Sequence, residues 1–156
     1  MLDRYPRLIV MQTLSKAWGA AGIRLGLAYA NADIIALFNK VKPPYNINSL
    51  TQQKALTLLN NVGICVDQKS MILDERKKVQ LALRDFDFVR KMHPSDANFI
   101  LVEFDHAEMI FEYLRNKGVV IRNRTKTHLC SDCLRITIGT PEENKILLEA
   151  LKQFKA

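Results

Sequence analysis

The chain has 156 residues, 48% of them hydrophobic and 25% charged, with a formal net charge of +7. That composition suits a soluble domain able to bury a core without disulfides or metals. It excludes a membrane span, because no apolar run approaches the ~20 residues one needs. The start, MLDRYPRLIVMQ, is not a secretory signal: an acidic residue comes early and LIVM is too short. A cytoplasmic location is expected. Lys and Arg alternate with acids in DERKK and PEENK, without an arginine-rich tract or interleaved aromatics, so nucleic acid is not an expected partner. Cys65, Cys130 and Cys133 do not make a secreted disulfide framework. The CxxC of HLCSDC lacks a second ligand pair for zinc and precedes a strand rather than a helix, and reads as two incidental loop thiols.

In chain order, Leu8–Thr13 (LIVMQT) suits a buried parallel strand. A glycine-bearing loop, Ser15–Gly26, separates it from a second apolar run, Leu27–Ala30. Asn31 and Asp33 open a helix through about Val41, and Pro43 and Pro44 stop it. The Pro-Pro-Tyr-Asn turn reads as a domain junction. Helices are predicted over Ser49–Asn60 and from Gln68 to Arg84. The second carries Ile72, Arg76, Val79, Leu83 and Phe86 on one face, with the Arg76 stem buried and its head in water. Phe99–Phe104 (FILVEF) is the clearest strand. A helix with Met109, Ile110, Tyr113 and Leu114 inward follows and stops near Gly118. Short strands are expected at Val119–Arg122 and Leu134–Ile138. The last helix starts on Thr140, Pro141 and Glu143, an N-cap, first-turn proline and capping box, with Ile146, Leu147, Ala150, Leu151 and Phe154 inward.

The predicted class is therefore α+β: a small-domain sheet with packed helices over residues 45–156, preceded at 1–44 by a remnant of a larger α/β domain.

Chemistry concentrates in TLSKAWGAAGIRLG, Thr13–Gly26. Lys16 follows a strand end, with Ser15 beside it and Arg24 eight residues on. Gly19, Gly22 and Gly26 permit close backbone approach. A lysine there is either a nucleophile or anion ligand, or a solvated loop cation. Trp18 reads as packing. Tyr45 and Asn46 either line a cleft or simply form the turn.

The run SKAWGAAGIRLG closely resembles the lysine motif S-K-x-x-G-x-x-G-x-R-x-G of the fold-type-I, class I/II aminotransferases, with every defining position present. The Ala-Trp after the lysine is similar to the histidinol-phosphate branch. PPYNINSLTQ, SDANFILVEF, VVIR and CLRITIGTPEEN extend the resemblance along essentially the whole chain, in the order of those enzymes' second half. The resemblance implies that residues 1–44 belong to a large domain binding pyridoxal 5'-phosphate and 45–156 to the small domain. It implies that Lys16 bonds covalently to the cofactor, and that Ser15 and Arg24 bind its phosphate. Arg135 would grip the substrate's anionic group, a phosphate or the carboxylate of a 2-oxo acid, with Arg122 beside it. The expected partners are small amines and 2-oxo acids, within a homodimer. An aromatic aminotransferase, a threonine-phosphate decarboxylase and an anion-binding module without chemistry remain alternatives.

The departure is upstream. Family members place a phosphate turn, a stacking ring and an aspartate for the pyridine nitrogen before the lysine, the last by more residues than precede Lys16. Asp3, in LDRYP, does not match that aspartate. The expectation is a truncated enzyme, inactive alone, with apolar surface exposed around Leu8–Met11 and Leu25–Ala28.

Overall fold

The computed structural model describes residues 1–155, which cluster by contact into two units, Met1–Lys69 and Ser70 onward. In the first, β1 (Val10–Thr13) pairs antiparallel with β2 (Gly26–Tyr29), from Val10 opposite Tyr29 to Thr13 opposite Gly26. Helix α1 (Ala32–Val41) begins where the Asn31 side chain accepts the Ile34 N–H at 3.0 Å. Helix α2 (Ser49–Asn60) begins likewise, with Asn48 accepting from Thr51 at 2.9 Å. Each cap satisfies a donor that the first turn leaves unpaired. Helix α3 (Val62–Leu83) contains the boundary between the units.

In place of the parallel, buried strand expected at Leu8–Thr13, Val10–Thr13 is one arm of an antiparallel ribbon, and all four of its residues are exposed. An apolar run records a tendency to be covered, and nothing in this unit covers it. Met11 is 83% exposed and Val10 41%. The apolar exposure expected around Leu8–Met11 and Leu25–Ala28 is present there.

The second unit is built on a four-stranded antiparallel sheet. Its spatial order is β3 (Val89–Met92), β4 (Phe99–Phe104), β6 (Cys133–Thr137) and β5 (Arg122–Asn123). Strand alternation sends Ile100, Val102 and Phe104 of β4 and Leu134 and Ile136 of β6 to one face. They meet Val79 and Leu83 of α3, Ile110 and Leu114 of α4 (Ala107–Asn116), and Leu147 and Leu151 of α5 (Pro141–Lys152) in one core. The capping box of α5 is formed as predicted, with Thr140 Oγ1 accepting from the Glu143 N–H and Glu143 accepting from the Thr140 N–H. A Cβ at Gly139 would fall 2.9 Å from that of Glu143, so only glycine fits before this box.

Several expectations need correction. α3 starts at Val62, not Gln68, because the Asn61 carbonyl that ends α2 accepts the Ile64 N–H and carries the chain straight into a new helix. β3, where no element is expected, has no alternating apolar pattern; it is held by its ladder to β4, with a bulge between Val89 and Lys91. β5 is confined to Arg122–Asn123, leaving Val119–Ile121 outside the ladder. Met109 and Ile146 point outward, at 53% and 56% exposure, because the inward faces are set by Ala107, Ile110 and Leu114 and by Leu147, Ala150 and Leu151. Nor is the Arg76 head in water: Nη1 donates to the Ala97 carbonyl at 2.6 Å and Nε is buried without a partner.

Polar Asn144 takes an inward place on α5. Its Nδ2 donates to Glu75 Oε2 at 2.9 Å and to the Gly139 carbonyl, and its Oδ1 accepts the Gly139 N–H. Glu75, itself buried, also accepts from Lys78 at 2.7 Å. The Lys78 bond first, and then that of Asn144, holds the Glu75 carboxyl below its ordinary pKa. A carboxyl lowered on folding binds fewer protons folded than unfolded. Its contribution is full above the ordinary carboxylate range and is lost as pH falls through the folded value. Urea midpoints measured from pH 6 to pH 3 should therefore fall less steeply in Glu75→Gln than in the parent; parallel curves would refute this role.

Candidate functional site

In the first unit the lysine loop is closed at its neck, where the Leu14 N–H donates to the Leu25 carbonyl at 3.2 Å and extends the β1–β2 ladder. Ser15 and Arg24 are the next residues beyond that pair. Arg24 has φ 53, a left-handed conformation that a side chain rarely adopts without a local reason. Here it ends the 3-10 turn Ala21–Ile23, and its Nη1 donates to the Ala21 carbonyl at 3.0 Å. Lys16 opens a turn closed by Gly19 N–H to Lys16 carbonyl at 2.8 Å, and Gly19 supplies φ 61.

Two side chains hold the loop from outside. Thr51 of α2 donates to the Ile23 carbonyl at 3.2 Å, and the Cys65 thiol of α3 donates to the Ala17 carbonyl at 2.9 Å. Leu14, Ala20 and Ala55 are buried beneath it, with Trp18, Ile23, Leu25 and Leu58 packed around them. Trp18 is thus a packing residue. The Lys16 amine is exposed above this small core and Ser15 is half-buried. Thr51 and Cys65 carried no sequence signal as loop anchors, since their partners are backbone carbonyls far away in the chain. Tyr45 is 98% exposed, in a turn at φ 57.

The second unit holds Arg122 and Arg135, directly opposite each other on β5 and β6. Arg135 lies on the sheet face away from the core. Its guanidinium stacks on the Phe99 ring at 4.9 Å, and its Nε is buried with no hydrogen-bond partner. Burial first, then Arg122 and Arg124, lowers its pKa from the ordinary arginine value. Like charges facing across a ladder destabilise it, and a buried unpaired donor costs about 1–3 kcal/mol. Among the described residues neither arginine has an ion pair, while Arg90 engages Glu103, Asp105 and Asp132 at 3.3, 3.0 and 3.0 Å. Cys130 and Cys133 are free thiols, and burial raises the Cys133 pKa, which makes it a poorer thiolate. Among the described residues no cluster of metal-binding side chains occurs, and no helix is long and apolar enough to cross a membrane.

The lysine loop closed by a strand pair belongs to the first unit, and the sheet face with opposed arginines to the second. The family model for aminotransferase class I and II matches residues 1–151, and the chain belongs to that family. It is 52% identical over 154 residues to a histidinol-phosphate aminotransferase of Parabacteroides distasonis, covering 99% of this chain and 45% of that protein. The chain thus spans under half the length of the curated relatives it matches. Among solved structures, the histidinol-phosphate aminotransferase from Clostridium acetobutylicum superimposes with a TM-score of 0.85 at 25% identity, covering 97% of this chain and 46% of that one. The Sinorhizobium meliloti enzyme, solved in complex with pyridoxal-5'-phosphate, shares the fold with a TM-score of 0.79 at 22% identity, over 94% of this chain and 42% of that one.

A buried guanidinium nitrogen without a hydrogen-bond partner weighs against stability. Arg135→Met should keep contact with Phe99 while removing the unpaired charge, and so raise stability by about 1 kcal/mol. Urea unfolding checks this, and a clear loss of stability would show that Arg135 is structural.

Proposed function

We propose that these residues serve a histidinol-phosphate aminotransferase, which exchanges an amino group between histidinol phosphate and 2-oxoglutarate to give imidazole acetol phosphate and glutamate. The lysine loop, with its motif complete and its neck closed, carries the reading, and the 52% identity to an enzyme of that name supports it. The activity is proposed for a protein containing these residues together with the remaining length of its relatives.

The donor set fits pyridoxal 5'-phosphate at two of its ends. An exposed primary amine suits the aldehyde, and a hydroxyl with a guanidinium across a closed neck suits the phosphate. When bound, the cofactor supplies an electron sink for the electrons of the broken substrate bond. Lys16 would hold the cofactor through its exposed amine. The same amine would serve as the base that carries a proton at the substrate carbon. Ser15 and Arg24 hold the phosphate, so that the amine works at a fixed position. Arg135, with Arg122, binds the phosphate of one substrate and a carboxylate of the other, because both present oxygens to the same planar fork.

The same reading assigns residues 1–44 to a large cofactor-binding domain and 45–156 to a small domain, in a cytoplasmic homodimer. The exposed ribbon around Met11 and Leu27 supports a covering by further protein. A second reading, an anion-binding module without chemistry, is favoured only by the unpaired arginines and leaves the lysine motif unexplained. In the longer protein, Lys16→Ala should lower transamination of histidinol phosphate by roughly 10³-fold or more, with substrate affinity largely kept. Undiminished turnover would remove the assignment.

A further inference from the structure

A third arginine shares the face of Arg122 and Arg135. The β5–β6 ladder continues one step past β5, because the Arg124 N–H donates to the Cys133 carbonyl at 3.0 Å. Strand alternation then puts Arg124 on the same side as Arg122 and Arg135. The intervening residues confirm the phase independently. Asn123 Nδ2 and Thr125 Oγ1 both donate to Glu108 Oε2, at 2.7 and 3.2 Å, and Glu108 belongs to α4 on the core side of the sheet. Arg122 and Arg124 therefore point the other way.

The Arg124 backbone is fixed on both sides. Its carbonyl accepts from Thr127 at 2.8 Å, and the Thr125 N–H donates to Asn123 Oδ1 at 2.9 Å. The nearby acids are engaged elsewhere: Glu103, Asp105 and Asp132 by Arg90, and Glu108 by Asn123 and Thr125. Among the described residues Arg124 has no ion pair, although its side chain is half-buried.

We propose that Arg124 is a specificity residue of the anion site, a third guanidinium that favours a doubly charged phosphate monoester over a singly charged carboxylate. This rests on the reading of Arg135 as the substrate-anion arginine. A carboxylate has two oxygens and one charge, which one fork satisfies. A phosphate monoester offers three oxygens and, above its second pKa of about 6, close to two charges, enough for a further fork. Arg122 and Arg135 hold an anion of either kind, and Arg124 adds affinity only where oxygens and charge remain.

The test is an NMR titration of this chain with inorganic phosphate and with acetate at constant ionic strength, following the arginine Nε–Hε signals. At pH 7.5, Arg124→Gln should weaken phosphate binding about tenfold, the loss of one charge-assisted hydrogen bond, and acetate binding less than about threefold. Arg124→Lys should recover part of the phosphate affinity. At pH 5, where phosphate carries one charge, the difference between Arg124→Gln and the parent should shrink. Equal weakening of both anions, no weakening of phosphate, or no phosphate binding by the parent overturns the proposal. Arg135→Gln separates the layers. If it abolishes phosphate binding while Arg124→Gln is silent, only this inference fails; if it is itself silent, the assignment of Arg135 fails beneath it.

Discussion

The pairing of β4 with β6 is the constraint on which the second unit depends. Its register sets Phe99 opposite Thr137, Leu101 opposite Arg135 and Glu103 opposite Cys133. A one-residue slip of β6 against β4 would turn Leu134 and Ile136 out of the core and drive Arg135 into it. Burial of those two apolar side chains, each worth about 1.5–3 kcal/mol, therefore fixes where the arginine stands. The ring on which its guanidinium stacks is placed by the same alternation, since Phe99 occupies the outer phase of β4. Core packing on one face orients the arginines on the other, and a charged face that would repel itself is held in place by the apolar face behind it.

The first unit uses a different device. The β1–β2 ribbon is short and uncovered, and it gains little from its apolar side chains. What it does is close a loop, and the loop is then held from within by Leu14 and Ala20 and from outside by Thr51 and Cys65. The exposed Lys16 side chain is thereby mounted on a constrained backbone. Such mounting keeps an amine available for bonding while fixing where it can reach.

Legibility from sequence followed the physics of each signal. The α5 start was readable because Thr140, Pro141 and Glu143 are local rules that need no partner elsewhere. FILVEF was readable because its alternation survives in the burial pattern, with every second residue buried. The direction of β1 was not, since an apolar run does not say which strand will lie beside it. β3 was invisible because its ladder to β4, not its own side chains, makes it a strand. Asn144 was hidden for the opposite reason: a polar residue on an apolar stripe looks like surface until Glu75 and Gly139 are seen around it. At the candidate site, Lys16, Ser15, Arg24, Arg135 and Arg122 were all singled out through motif resemblance. Arg124 was not, because the strand read at Val119–Arg122 ends before it, and only the ladder bond to Cys133 gives its phase.

The account's central claim concerns a single amine, that of Lys16, as the group that bonds to the cofactor. Incubating the protein with pyridoxal 5'-phosphate, reducing with borohydride and mapping the modified peptides by mass spectrometry addresses it directly. The account predicts that the peptide containing Lys16 carries most of the label, and that excess free phosphate suppresses labelling by competing at Ser15 and Arg24. Label distributed across the surface lysines, insensitive to phosphate, would contradict it.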